Sequence, residues 1–201
     1  MTALLVICLA IIVGSIPSGV ILSRLFTGKD VRKAGSGNFG AANVVRTAGL
    51  RIGVLVAIAD ILKGVLPVAL GLAAGLSHPA LALVALAAVA GHDFSIFIRL
   101  RGGKGVATTL GVALMLVPIV AVIAMLVWLA TMGISRYSAL ASLIALAVLP
   151  VLALLTAQPG AYIWLFVALF VLAAGKHWEN IVRLSRGKES RFSKPRTVRD
   201  A

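Results

Sequence analysis

The residues best suited to chemistry lie in a polar stretch at positions 28–46, between two long apolar runs. Its four glycines allow the backbone to approach a ligand closely and to direct successive N–H groups toward an anion. Ser36, Asn38 and Asn43 add side-chain donors, and Arg46 is suited to binding phosphate through two parallel hydrogen bonds. The stretch therefore predicts an anion site, and composition alone leaves open a simple positively charged loop.

A second polar stretch, at residues 99–105, contains three glycines around Lys104. It precedes a predicted helix, so exposed N–H groups, the helix dipole and the ammonium group all favour a bound phosphate. The spacing G-x-x-x-x-G-K-[ST] of nucleotide-binding P-loops is absent. The pattern thus indicates a phosphate site without a nucleotide, and a basic tight turn is the alternative.

A third polar stretch, at residues 176–189, begins where the last apolar run ends. On a helix His177 and Asn180 share a face, where the imidazole is able to exchange a proton near neutral pH and the amide to orient a substrate. A histidine at a membrane boundary is more often an interfacial residue. Two glycine-rich anion sites expected on the same side of the membrane favour a role in catalysis.

The composition shows in what environment these stretches must work. The chain has 201 residues, of which 61% are hydrophobic, and a mean hydropathy of +1.08, whereas soluble domains are about 45–50% apolar. The net charge of +13 is concentrated between apolar runs, as in cytoplasmic loops, so membrane lipids and anionic substrates are expected partners and nucleic acid is not. A single cysteine, Cys8, and scattered histidines give no metal signature.

The apolar runs predict an all-α polytopic membrane helix bundle in one domain, residues 1–201. They fall at about 3–24, 52–76, 79–98, 106–131, 137–156 and 160–175. One crossing each would leave the basic C-terminal tail outside, against the positive-inside tendency. Reading 106–131 as two helices of about 12 residues that meet near Pro118 restores it. We therefore expect about seven membrane helices, an external N-terminus and a cytoplasmic C-terminus, with 190–201 as a loose tail.

Polar residues inside the apolar runs are candidates for structural or cavity-lining roles. Asp60 and Lys63 lie three residues apart and are predicted to form an ion pair, with a place in the cavity wall as the alternative. Ser142 shares a helix face with Ser138 and is a candidate substrate contact. His92 and Asp93 are expected to be a polar helix end.

The motifs, taken in order, resemble those of the bacterial integral-membrane glycerol-3-phosphate acyltransferases that use acyl phosphate as donor. The resemblance is carried by Gly35–Asn38, Gly40, Ala41, Asn43 and Arg46, by Asp60, Lys63 and Gly64, by Gly91, His92, Phe94 and Gly102–Thr108, and by His177, Asn180, Ile181, Arg183, Leu184, Gly187 and Glu189. Ala42 stands where the family usually has threonine, so any role of that hydroxyl is missing in this chain.

The resemblance implies transfer of a fatty acyl group from acyl phosphate to the 1-hydroxyl of sn-glycerol 3-phosphate. The products would be 1-acyl-sn-glycerol 3-phosphate (lysophosphatidic acid) and phosphate, in the first step of phospholipid synthesis at the cytoplasmic (inner) membrane, without a cofactor. The mixed anhydride is already activated, so no covalent intermediate is required. Either His177 or a donor phosphate oxygen is expected to take the proton. Adjacent His92 and Asp93 do not form the H-x-x-x-x-D dyad of the separate acyl-carrier-protein- and CoA-dependent family.

The expected site residues fall into three groups. The phosphates and the acceptor hydroxyl are assigned to Ser36, Arg46, Lys104, His177 and Asn180. Further substrate contacts are assigned to Gly37, Asn38, Asn43, Gly102, Gly103, Gly105 and Ser142, and structural roles to Asp60, Lys63 and Glu189. The alternative function is a membrane carrier or exporter of an anionic phosphorylated metabolite, although the chain shows no inverted repeat.

Overall fold

The computed structural model describes residues 1–192, and in this range it contains helices and loops but no strand. The all-α prediction is therefore confirmed for the described part of the chain. The helices are α1 (Thr2–Ser15), α2 (Ser18–Thr27), α3 (Ala41–Ala48), α4 (Leu50–Ala73), α5 (His78–Asp93), α6 (Val106–Leu116), α7 (Pro118–Ser135), α8 (Ser138–Leu155), α9 (Gly160–Lys176) and α10 (Trp178–Ser185). Short 3₁₀ turns occupy Val31–Lys33 and Ile96–Ile98.

Five helical segments within residues 1–192 are long and apolar enough to cross a membrane. They are Thr2–Thr27, which joins α1 and α2, then α4, then His78–Ile98, which extends α5, and finally α7 and α8. A sixth candidate is α9 together with α10, which bend by 64° at His177. Helix α6 is apolar but has only 11 residues. The expected total of about seven membrane helices stays a prediction.

The long apolar run at 106–131 divides where the sequence indicates. Helix α6 ends at Leu116, Val117 leaves the helical conformation, and Pro118 begins α7. Proline is favoured at a first helical position because its missing N–H group would have no partner there. The expected equal halves are wrong, however: α7 has 18 residues and reaches Ser135, a length of about 27 Å at 1.5 Å per residue.

Close helix packing holds the short α6 in place. Gly64 of α4 and Gly111 of α6 each lie against a backbone carbonyl of the other helix, and a Cβ atom at either position would overlap it. Gly14 and Gly91 form the same reciprocal contact between α1 and α5. Small residues allow such close approach in lipid, where packing rather than water exclusion associates helices. Helix α6, too short to span a membrane alone, is thereby fixed against α4.

The predicted ion pair between Asp60 and Lys63 is formed inside the bundle. Lys63 Nζ lies 2.6 Å from Asp60 Oδ1, and the two residues are 4% and 2% exposed. Ser18 Oγ donates to Asp60 and accepts from Lys63 Nζ, at 2.9 Å, which joins the start of α2 to α4. The lysine and the hydroxyl thus replace the water that the buried carboxylate has lost.

The basic segments meet at one end of the bundle. The Arg46 guanidinium donates to the Ser190 carbonyl at 3.3 Å, and the N–H group of Phe192 donates to the Arg136 carbonyl at 2.8 Å. Residues 190–192 of the expected loose tail therefore contact the protein, and residues 193–201 lie outside the described range. From the charge distribution we expect this common end to face the cytoplasm.

Thiol labelling of cysteine variants in a Cys8→Ala background tests this orientation. Ser135→Cys, at the basic end, should react with a membrane-impermeant reagent only when the cytoplasmic face is accessible. The control Ser77→Cys, in the exposed α4–α5 loop at the opposite end, should react only from the other side. Labelling of Ser135→Cys from outside in intact cells would show that the expected orientation of the basic end is wrong.

Candidate active site

The first glycine-rich loop is organised around the side chain of Asn43. Its amide donates to the carbonyls of Val31 (3.2 Å), Ala34 (3.1 Å) and Asn38 (2.6 Å), and its Oδ1 accepts from the Ser36 N–H group at 2.9 Å. The loop backbone is thus wrapped around one buried amide that satisfies groups which would otherwise lose water. Asn43, a predicted substrate contact, does line the cavity, but these bonds already occupy its amide, so we assign it a positioning role.

The wrapped loop presents its polar side chains to a cavity. Ser36, Asn38 and Arg46 line this cavity, whereas Gly37 does not and instead occupies a turn with φ of 72°. The Arg46 guanidinium lies 5.0 Å from the centre of the Phe192 ring, a cation–π contact that orients the otherwise exposed side chain.

The second glycine-rich loop is bonded to the C-terminal end of α5. The N–H groups of Gly102 and Gly103 donate to the carbonyls of Asp93 (3.1 Å) and His92 (3.0 Å). A Cβ atom at Gly102 would overlap both carbonyls, so glycine is required here for packing. Gly105 caps α6 with φ of 68° and lines the cavity beside Lys104, whereas the predicted substrate contacts Gly102 and Gly103 do not line it.

Lys104 begins a chain of hydrogen bonds that joins α6 to α10. Its ammonium group donates to Asn180 Oδ1, and Asn180 Nδ2 donates to Glu189 Oε1 at 2.7 Å. The other carboxylate oxygen, Oε2, accepts from Arg183 Nε at 2.7 Å. Burial lowers the pKa of Lys104 from its usual 10.5 to about 8, and the positive charge of Arg183 acts in the same direction. Glu189 orients Asn180, consistent with the structural role expected of it.

His177 lies at the bend between α9 and α10 and is 3% exposed. Its Nδ1 is 2.8 Å from the Ala173 carbonyl, which is able only to accept, so Nδ1 carries the hydrogen. The neutral ring then has its lone pair on Nε2. His177 lines the same cavity as Lys104 and Asn180, and its geometry therefore suits a proton acceptor.

These groups surround one cavity of about 500 Å³ that has a polar end and an apolar branch. The polar end is lined by Ser36, Asn38, Asn43, Arg46, Asp60, His92, Lys104, His177, Asn180 and Glu189, so Asp60 both forms its ion pair and lies in the cavity wall. The branch is lined by Leu110 and Ala113 of α6, by Ala124, Met125, Trp128, Leu129 and Met132 of α7, and by Ala139, Ala145, Leu146 and Leu149 of α8. Along α8 it extends from Ser138 to Leu149, about 16 Å at 1.5 Å per residue. The cavity thus offers one cationic, polar compartment suited to anions and one apolar compartment suited to a hydrocarbon chain.

Ser142 lies in the wall of the apolar branch, apart from the cationic groups. Its hydroxyl donates to the Ser138 carbonyl at 2.8 Å and accepts from Trp128 Nε1 at 3.2 Å. Trp128, which belongs to none of the sequence motifs, also forms part of this wall. The serine thus satisfies the indole N–H group where the polar end meets the branch.

A model of the glycerol-3-phosphate acyltransferase family matches residues 4–187. The chain belongs to this family. A relative from Myxococcus xanthus, named glycerol-3-phosphate acyltransferase, is 47% identical over 193 residues, which cover 96% of this chain and 100% of the relative. A relative of the same name from Thermus thermophilus is 39% identical over 187 residues, 92% of each chain. The expected family and the expected acyltransferase activity are confirmed.

Two solved structures of PlsY (YgiH), an integral membrane glycerol 3-phosphate acyltransferase, have the same fold. The glycerol 3-phosphate form superposes with a TM-score of 0.92 at 38% identity, and the lysophosphatidic acid form with 0.89 at 36%. Each comparison covers 96% of both chains. The chain is accordingly an integral membrane acyltransferase.

The pKa of Lys104 makes a prediction about activity as a function of pH. If the ammonium form binds phosphate, kcat/KM, which reports the free enzyme, should fall as pH rises through about 8, because the fraction of protonated Lys104 falls there. Lys104→Arg keeps the charge and should remove this decline, even at a lower rate. Lys188→Arg, at an exposed lysine, is the matched control. A decline near pH 8 that persists in Lys104→Arg would exclude Lys104 as its cause.

Proposed function

We propose that the chain transfers a fatty acyl group from acyl phosphate to the 1-hydroxyl of sn-glycerol 3-phosphate. The products are lysophosphatidic acid and inorganic phosphate. The observation that carries the proposal is the single cavity in which cationic groups are continuous with an apolar branch. An acyl phosphate has an anionic head and an apolar tail, and glycerol 3-phosphate needs only the polar end, so the cavity matches both substrates together.

The polar end contains enough donors for two phosphates. Ser36 and Arg46 lie on the first glycine-rich loop and α3, whereas Lys104 lies on the second loop and His177 and Asn180 at the bend into α10 and on α10. PlsY structures exist in a glycerol 3-phosphate form and a lysophosphatidic acid form. This supports glycerol 3-phosphate as the acceptor and lysophosphatidic acid as the product here. Tight packing of two anions requires these cations, because like charges repel strongly in a site of low dielectric constant.

The geometry favours direct attack by the acceptor hydroxyl. Its oxygen forms a bond to the acyl carbon while the bond from that carbon to the phosphate oxygen breaks, and phosphate departs with the electron pair. Lys104 and Arg46 stabilise the departing charge, and Nε2 of His177 takes the hydroxyl proton, with a donor phosphate oxygen as the alternative base. Within residues 1–192 the Ser36 hydroxyl donates no hydrogen bond to a histidine, so an activated serine nucleophile has no support.

The same features support a location in the bacterial inner membrane. Residues of the basic segments line the cavity, and positive charge concentrates on the cytoplasmic side of such membranes. We therefore place the active site at the cytoplasmic face, where the soluble acceptor is available, with the tail of the donor within the bilayer. An enzyme of this kind would catalyse the first acylation of phospholipid synthesis.

The proposal is tested by turnover of purified protein in detergent. The acyl donors differ in the leaving group, phosphate or CoA, and in the length of the acyl chain. We expect hexadecanoyl phosphate and glycerol 3-phosphate to give lysophosphatidic acid and phosphate without any ion gradient, and hexadecanoyl-CoA to give none. Ala145→Leu places a larger side chain in the apolar branch. It should lower kcat/KM for hexadecanoyl phosphate about tenfold, since about two methylenes lose their burial at about 0.8 kcal/mol each, and affect octanoyl phosphate less.

The matched control is Ala147→Leu, on the same helix but outside the cavity wall. It should leave the ratio of the two donors unchanged. Turnover of hexadecanoyl-CoA but not of hexadecanoyl phosphate would contradict the donor assignment. Equal losses for both chain lengths in Ala145→Leu would contradict the placement of the tail, and absence of turnover with either donor would contradict the proposed reaction.

A further inference from the structure

His92, at the C-terminal end of α5, is buried where three parts of the protein meet. Its Nδ1 lies 3.7 Å from Asp60 Oδ1 on α4, and its ring stands edge-on to Phe39, with ring centres 5.6 Å apart. On a third side it contacts Gly103. Because Phe39 belongs to the first glycine-rich loop and Gly103 to the second, one imidazole separates the two loops that supply the cationic groups.

The contact with Gly103 leaves no free space. A Cβ atom at that position would overlap Nε2 of the His92 ring. The backbone at Gly103 is also hydrogen-bonded to the His92 carbonyl, at 3.0 Å. The ring and the carbonyl of one residue therefore fix the loop from two directions. Lys104 is the next residue in the chain, so its starting point in space is fixed with them.

The opposite side of the His92 imidazole faces the carboxylate of Asp60, which is itself held in place. Asp60 is paired with Lys63 at 2.6 Å and accepts from Ser18, and all three residues are at most 5% exposed. Helix α4 is in turn locked to α6 by glycine contacts. The position of Asp60 is therefore fixed by the helix bundle. Nδ1 of His92 faces Asp60, and Nε2 faces the second glycine-rich loop at Gly103.

We propose that His92 is a positioning residue which, placed by Asp60, spaces the two glycine-rich loops and so places the Lys104 ammonium at the substrate phosphate. The inference rests on the proposed role of Lys104 in binding phosphate, and it assigns no proton transfer to His92. A displacement of a catalytic group by about 1 Å can reduce a rate about 10²-fold. A small shift of the loop at Gly103 is therefore expected to lower the rate measurably.

The test measures Lys104 directly and does not depend on turnover. Lysines of the intact protein are labelled with an amine-reactive reagent over a range of pH, and Lys104 is quantified by peptide mass spectrometry. His92→Phe keeps an aromatic ring against Gly103 but removes the group that faces Asp60, and His92→Asn keeps a polar group toward Asp60 but removes the contact with Gly103. A displaced Lys104 would be less buried, so in both variants its labelling midpoint should rise from about 8 toward the usual 10.5, and kcat/KM should fall about 10²-fold.

The matched control is His78→Phe, at the other end of the same helix, where the ring also packs edge-on against an aromatic residue, Tyr162. It should change neither quantity. An unchanged midpoint of Lys104 in the His92 variants would overturn the inference, whether activity is retained or lost, because any loss would then not act through Lys104. Parallel changes at Lys176, which donates to the Asp93 carbonyl, would also overturn it, because they would show general loosening of the end of α5.

Discussion

A lysine at the edge of a membrane stays charged only if fixed groups replace its water, and the site depends on this constraint. Asn180 accepts a hydrogen bond from Lys104, Glu189 fixes Asn180, and Arg183 pairs with Glu189. Burial still lowers the pKa of Lys104 to about 8, so the ammonium is poised to gain from an arriving phosphate. Partial desolvation disfavours the charged form of the free lysine. It also strengthens the attraction of the ammonium group to an anion beside it.

The helices around Lys104 must hold polar loops next to an apolar cavity wall. A polar backbone loop must lie next to hydrocarbon without exposing unsatisfied N–H and C=O groups. The protein meets this need with Asn43, whose amide binds three carbonyls, and with the end of α5, which binds the second loop. Because the polar groups of the loops are satisfied within the protein, the adjoining branch of the cavity can be lined by apolar side chains. One cavity therefore contains both a polar and an apolar environment.

The sequence predicts the parts of this arrangement that depend on charge, glycine and proline. The break at Pro118 follows from proline chemistry, and the three polar stretches do meet at one end of the bundle. The full length of α7 was missed because polar Thr131 and Ser135 end the apolar run while the helix continues. The apolar branch gave no signal, since aliphatic residues facing a cavity and those facing lipid have the same composition. The positioning roles of Asn43 and His92 depend on contacts distant in sequence.

The central claim is that both substrates occupy one cavity at the same time and react directly. Initial rates measured while both substrates are varied test it, combined with mass spectrometry of intact enzyme given acyl phosphate alone. The account predicts intersecting double-reciprocal lines and no acylated enzyme. Parallel lines together with a kinetically competent acyl adduct, on Ser36 or any other residue, would contradict it.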